Sequence, residues 1–126
     1  MIYIVNGFSN GMFIDPRIKR IDEPLSKQEF IEKVLNTKWK SAIGHKQMAD
    51  CLTKFCGVTI PHDRINLNIS YDDVLLLVSL KGRLPEHPSY VDYKNRLMFS
   101  LVRFEKQTLK DIEKSQKILK EITMEA

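Results

Sequence analysis

The sequence predicts an α/β fold, a single compact domain in which a mixed sheet of about five strands is flanked by helices and followed by an extra C-terminal helix. Three observations point there. An apolar, β-prone run opens the chain at residues 2–5, and a second, Val74 to Leu80, is apolar almost throughout, as in a strand covered on both faces. Between them lie segments with apolar residues at helical spacing. Strands alternating with helices in one short chain leave a layered α/β arrangement as the consistent solution.

Taken in order, the opening strand is broken by Asn6-Gly7-Phe8-Ser9-Asn10-Gly11, whose glycines and asparagines signal a loop. Residues 17–22 read as a second strand. Ser26 and Glu29 form a capping-box pair, and Phe30, Ile31, Val34 and Leu35 line one face of the helix that follows, to about Asn36. Ser41 to His45 reads as a short connection. A second helix runs from about His45 to Cys56 on Met48, Leu52 and Phe55, with Gly57 as the residue that ends it. Ile65, Leu67 and Ile69 alternate with Asn66 and Asn68, which predicts a half-buried strand. Residues 97–104 read as the last strand. Residues 87–96 leave little room for a helix, because Pro88 and the short length oppose a long one. Residues 107–122 read as a charged helix, so the chain divides into a domain over 1–105 and a helical extension over 106–126.

Composition narrows the function classes. The 126 residues are 43% hydrophobic and 29% charged, as in an ordinary globular domain. No apolar stretch is long enough to span a bilayer. The first residues carry no basic region or cleavage site, so a cytoplasmic location is expected. Cys51 and Cys56 lie five apart on one predicted helix, where they diverge, and read as partly buried free thiols. The net charge of +4 suits an anionic partner without requiring one.

No P-loop, dinucleotide glycine fingerprint, zinc-protease helix or nucleophile elbow is present. His45, His62 and His87 have no helical metal-ligand spacing, so neither a metal nor another cofactor is expected. His45 follows Gly44 at a predicted helix start. Free N–H groups and the positive dipole end make such a start a phosphate site. A histidine held there could protonate a leaving alkoxide, or it could simply cap or pack. Arg83 lies just past the carboxyl end of the most buried strand, the edge where ligands collect in open α/β sheets, and Glu86 follows it. These two read either as a phosphate-binding pair or as an exposed ion pair. Arg64 reads as a surface cation at a strand start, and His62 and His87 as surface-loop residues.

The ordered segments Asn6-Gly7-Phe8-Ser9, Ser41-Ala42-Ile43-Gly44-His45, Cys56-Gly57-Val58-Thr59 through Arg64, and Lys81-Gly82-Arg83-Leu84-Pro85-Glu86 resemble the viral type III anti-CRISPR ring nuclease family over roughly residues 1–105. Relatives of that family also occur in bacterial chromosomes and mobile elements, so the resemblance does not assign the chain to a virus. It implies a C2 homodimer with cyclic tetra-adenylate, the second messenger of type III CRISPR defence, across the interface. It places the catalytic group on His45, Arg83 and Glu86, and ligand contacts on Asn6, Ser9, Gly44 and Arg64. It adds a further substrate contact at Ser79, which stands where some relatives carry a glutamine. His87-Pro88 replaces the glycine expected after the glutamate, which bears on how the neighbouring loop closes.

The implied reaction is metal-independent: the ribose 2′-OH attacks the adjacent phosphate, His45 protonates the leaving oxygen, and the products end in 2′,3′-cyclic phosphate. Two other classes stay open. The pocket could sequester or sense a cyclic nucleotide without cutting it. A basic nucleic-acid-binding protein using the C-terminal helix is the remaining one, although no duplex-reading signature is present.

Overall fold

The computed structural model describes residues 1–7, 18–106, 113–114 and 116–117. Among these residues it confirms a single α/β domain whose named elements are a five-stranded mixed sheet and three helices. In chain order these are β1 (Ile2–Val5), β2 (Ile18–Leu25), α1 (Lys27–Asn36), β3 (Trp39–Ala42), α2 (Lys46–Cys56), β4 (Val74–Leu80), α3 (Tyr90–Arg96) and β5 (Leu97–Lys106). The strand order is β2-β5-β4-β1-β3. β3, β1 and β4 are parallel, with Ile4 opposite Ser41 on one side and Leu76 on the other, while β5 runs antiparallel to β4 and β2. The chain leaves β1, returns as β3 on one side of it, then crosses to β4 on the other. β1 is therefore the switch point, and the carboxyl ends of three parallel strands share one edge.

Local chemistry explains the helices. Ser26 and Glu29 cap α1 reciprocally, as the sequence predicts, and the same bonds to Ser26 hold the Glu29 carboxyl below its ordinary pKa. Ser89 and Asp92 form an equivalent box on α3. That short helix arises despite Pro88, because the proline precedes the cap and costs no hydrogen bond inside the helix. Gly57 ends α2 with φ 75°, a left-handed conformation that favours glycine.

Pleating divides the core in two. Ile4, Leu76, Val78 and Phe99 face α1, α2 and α3, and Phe30 is fully buried with its ring stacked 4.2 Å from that of Phe99. Val5, Leu75, Val102 and Phe104 face the other way and are covered by Leu67 and Ile69. The alternating segment 65–69 is therefore not the strand its pattern predicts. Leu67 and Ile69 are buried beneath the sheet while Ile65, Asn66 and Asn68 are exposed, and the segment contributes only an isolated bridge residue to the ladders. Alternation records burial of one side, which an extended segment lying across a sheet satisfies as well as a strand within it.

Ser41 to Ala42, expected in a connection, instead close the edge strand β3, tied to α1 by the Trp39 indole N–H donating to the Val34 carbonyl at 2.8 Å. The second strand lies at 18–25 rather than 17–22, and Pro24 is tolerated there because β2 is the opposite edge. Cys51 and Cys56 are free and buried, and burial, followed by the neighbouring Cys51, pushes the Cys56 thiol up to about 11. The predicted C-terminal helix lies outside the described residues except for 113–114 and 116–117, which are helical and exposed.

Truncating Phe30 to alanine is expected to cost about 3–5 kcal/mol, the usual range for deleting a buried aromatic side chain. Chemical denaturation of the variant checks this; a loss under about 1 kcal/mol would show that α1 contributes little to the core.

Candidate active site

Three strand ends meet at the carboxyl edge of the parallel strands. Asn6 follows β1, Gly44 and His45 lie between β3 and α2, and Leu80 closes β4. Gly44 is held from two sides. Its N–H donates to Asn6 Oδ1 at 3.3 Å, and its carbonyl accepts from His62 Nε2 at 3.0 Å. That carbonyl can only accept, so the His62 imidazole carries its proton on Nε2 in this contact. The Asp63 N–H adds a bond to the Ile43 carbonyl at 3.1 Å, and Ile43 is fully buried. The backbone that presents His45 is thus anchored on both flanks. A Cβ added at Gly44 would stand 3.8 Å from the Arg64 side chain, which brings Arg64 to this corner.

His45 occupies the N-cap of α2 in an extended conformation and makes no side-chain capping bond. α1 and α3 each receive one from serine. The first backbone bond of α2 is from the Ala49 N–H to the His45 carbonyl, so the preceding N–H groups face outward at the positive end of the dipole. Beside this terminus a cleft of about 470 Å³ opens between α2, α3 and the sheet. Asn6, His45, Lys46 and Gln47 supply most of its polar rim. Met48, Val78, Leu80, Leu84 and Tyr93 make the remainder mostly apolar.

The residues proposed from sequence do not all converge here. Asn6 and His45 line the cleft, and Gly44 and Arg64 stand at the corner beside it without lining it. Ser79 borders the cleft, but the pleat that sends Val78 and Leu80 to the helix side turns the Ser79 side chain to the opposite face. Arg83 and Glu86 are exposed on the loop after β4 and do not line the cleft, whereas their neighbour Leu84 does. That loop turns at Gly82, φ 76°, and is stapled by Arg96, whose Nε donates to the Arg83 carbonyl at 3.0 Å. Ser9 lies outside the described residues. His62, read from sequence as a surface residue, has a defined role through Gly44; the only signal for it was its distance of a few residues from Arg64. Gln47 and Tyr93 were also missed, for they sit among the ordinary residues of two helices. Among the described residues no group of three or more histidines, cysteines or carboxylates could hold a metal ion, and no helix is long and apolar enough to cross a membrane.

A family model for the STIV B116-like proteins matches residues 2–92, from the first strand into α3. The chain belongs to the STIV B116-like family. It is 33% identical to protein 26 of Sulfolobus islandicus filamentous virus over 86 residues, 68% of this chain and 73% of the relative. It is 34% identical to protein ORF117 of Acidianus two-tailed virus over 76 residues, 59% of this chain and 65% of that one. The solved structure of B116 of Sulfolobus turreted icosahedral virus superposes with a TM-score of 0.68 over 81% of this chain and 97% of its own, at 19% identity, which establishes a common fold. The family match covers β1, the Gly44–His45 corner and the loop after β4, and of the cleft lining only Tyr93 lies beyond it.

Replacing Asn6 with alanine strands the Gly44 N–H at a part-buried position and is expected to lower stability by about 1 kcal/mol. Urea denaturation measures it, and an unchanged midpoint would mean that water replaces the amide at no cost.

Proposed function

We propose that the chain is a metal-independent ring nuclease that binds cyclic tetra-adenylate and opens it, so switching off the type III CRISPR response that this messenger carries. The resemblance of the Ser41–His45 and Lys81–Glu86 segments to that family supplies the ligand. The observation that carries the reading is the placement of His45: an uncapped helix start on the carboxyl edge of three parallel strands, on the rim of a cleft of nucleotide dimensions. A phosphate at this terminus would meet backbone N–H groups, the helix dipole and Lys46. With the ribose 2′-OH held in line with its own phosphate, the RNA supplies the nucleophile and no covalent residue is needed. His45 would deliver a proton to the departing 5′ oxygen while the proton of the attacking 2′-OH passes to water, leaving a 2′,3′-cyclic phosphate. Arg83, on a loop stapled by Arg96, would neutralise charge on the phosphoryl oxygens, with Glu86 beside it. A C2 dimer suits a four-fold ring, since a two-fold axis presents one His45 to each of two opposed phosphates.

One observation favours a second reading. Arg83 and Glu86 stand outside the lining of the cleft, as they would in a protein that sequesters the ring without cutting it. Three experiments separate the two. His45→Ala should leave binding of cyclic tetra-adenylate largely intact and slow its cleavage by at least about 10²-fold in single-turnover reactions; a variant that cuts at the parental rate would remove His45 from the chemistry. Arg83→Ala should weaken both cleavage and affinity, because a phosphate contact acts in ground and transition states alike; if neither quantity moves, Arg83 is a surface cation. Cleavage should continue in EDTA and stop when the scissile nucleotides are 2′-deoxy. A metal-activated water would reverse both results, and a wild-type protein that binds the ring yet never opens it would establish the sequestering role.

A further inference from the structure

The two peptides that flank Gly44 are latched unequally. The one between Ile43 and Gly44 is bonded at both ends: the Ile43 carbonyl accepts from the Asp63 N–H at 3.1 Å, and the Gly44 N–H donates to Asn6 Oδ1 at 3.3 Å. The one between Gly44 and His45 is bonded at one end only. Its carbonyl accepts from His62 Nε2 at 3.0 Å, whereas its N–H, that of His45, meets no acceptor among the described residues. A trans peptide points its carbonyl and its N–H in opposite directions. The His45 N–H therefore points away from His62. His45 lines the cleft and His62 does not. The open N–H joins those of the first turn of α2, which no side chain caps.

We infer that His62 is a positioning residue for the reaction: by holding the Gly44 carbonyl it keeps the His45 N–H aimed at a bound phosphate. This rests on the cyclic tetra-adenylate reading and adds a residue that acts from outside the cleft. The motion it opposes is a flip of the Gly44–His45 peptide. A flip turns the carbonyl and the N–H end for end while the flanking Cα atoms stay nearly in place, and a glycine on one side makes it cheap. Flipped, the peptide would offer an anion a carbonyl oxygen, which repels it, in place of a donor. Nothing on the His45 side resists, since its side chain makes no capping bond. His62 resists, because the flip breaks its bond to Gly44. The imidazole does this without framing the fold. It is exposed, and the segment that carries it is tied to the turn independently, by the Asp63 N–H and by the Ser41 hydroxyl, which donates to the Pro61 carbonyl.

Two readouts test this, with thermal melting of every variant beside them. In the first, the wild type, His62→Ala and His62→Gln cleave cyclic tetra-adenylate in single turnover. His62→Ala should slow cleavage by about 2- to 12-fold, the equivalent of one neutral hydrogen bond. His62→Gln, whose amide nitrogen lies as many bonds from the backbone as the imidazole Nε2, should recover most of that loss. In the second, heteronuclear NMR follows the His45 amide as a ring made uncleavable by 2′-deoxy sugars at the scissile positions is added. The amide proton should move downfield in the wild type and in His62→Gln, and far less in His62→Ala. A change in stability alone would not produce that pattern in folded protein. If the wild type opens the natural ring but the His45 amide proton does not move with the uncleavable one, if His62→Ala matches the wild type in both readouts, or if glutamine fails to rescue, the inference fails and the nuclease reading survives. If the wild type neither binds nor opens the ring, both fail together.

Discussion

Strand β1 is four residues long, yet it holds β3 and β4 in parallel register on its two sides. Its N-terminal end is fixed as well: the Val74 N–H donates to the Met1 carbonyl at 3.0 Å, and the terminal amine lies 3.4 Å from the Asp73 carboxylate. Because the flanking strands are locked to it, the point where β1 ends is also the point where the turn after β3 must pass. Asn6 is the next residue and bonds that turn at Gly44. The position of His45 therefore follows from the ladder and not from its own side chain, which makes no capping bond. A group placed this way has a rigid base and an uncommitted ring, the combination that proton transfer to a bound ligand requires.

Much of the fold is legible in the residues because local and global preferences agree there. The apolar run of β4 is buried on both faces, Ser26 and Glu29 cap α1, and Gly57 ends α2. Where the reading fails, a tertiary contact has outweighed the local pattern. Trp39-Lys40-Ser41-Ala42 has no strand periodicity, and pairing with β1 makes it one. Leu67 and Ile69 alternate convincingly but cover the sheet instead of joining it. Ser89 and Asp92 form as good a capping box as the first, obscured by the adjacent proline.

The site is legible in a different way. Gly44 and His45 stand out because a glycine–histidine pair at a helix start has a specific physical use. Asn6 and Arg64 converge on them in space, although nothing local connects residues so far apart. Ser79 shows the limit of reading by position alone, since one residue along a strand changes the face on which a side chain emerges. His62 and the Gln47–Tyr93 pair were invisible because their importance lies in what they bond: a carbonyl eighteen residues away for the first, and a contact between two helices for the second.

The corner around Gly44 and the loop after β4 differ in how they are built. The first is backbone held by backbone, by the part-buried Asn6 amide and by the His62 imidazole, so its geometry is set without a ligand. The second is exposed at Arg83 and Glu86 and fixed through the Arg96 staple to the Arg83 carbonyl, which leaves the guanidinium itself unconstrained. A long cation on a tethered backbone can swing toward a bound phosphate at little cost beyond its own rotamer entropy. In the proposed reaction that difference is useful. The proton donor must be aligned before the bond breaks, whereas the charge that grows on the phosphoryl oxygens can be met by a group that arrives with the ligand. The exposure of Arg83 is compatible with that later role, and the same exposure would be expected of a purely electrostatic tether in a sequestering protein. What separates the two is whether neutralisation by Arg83 is stronger in the transition state than in the bound ring, because only that difference accelerates the chemical step.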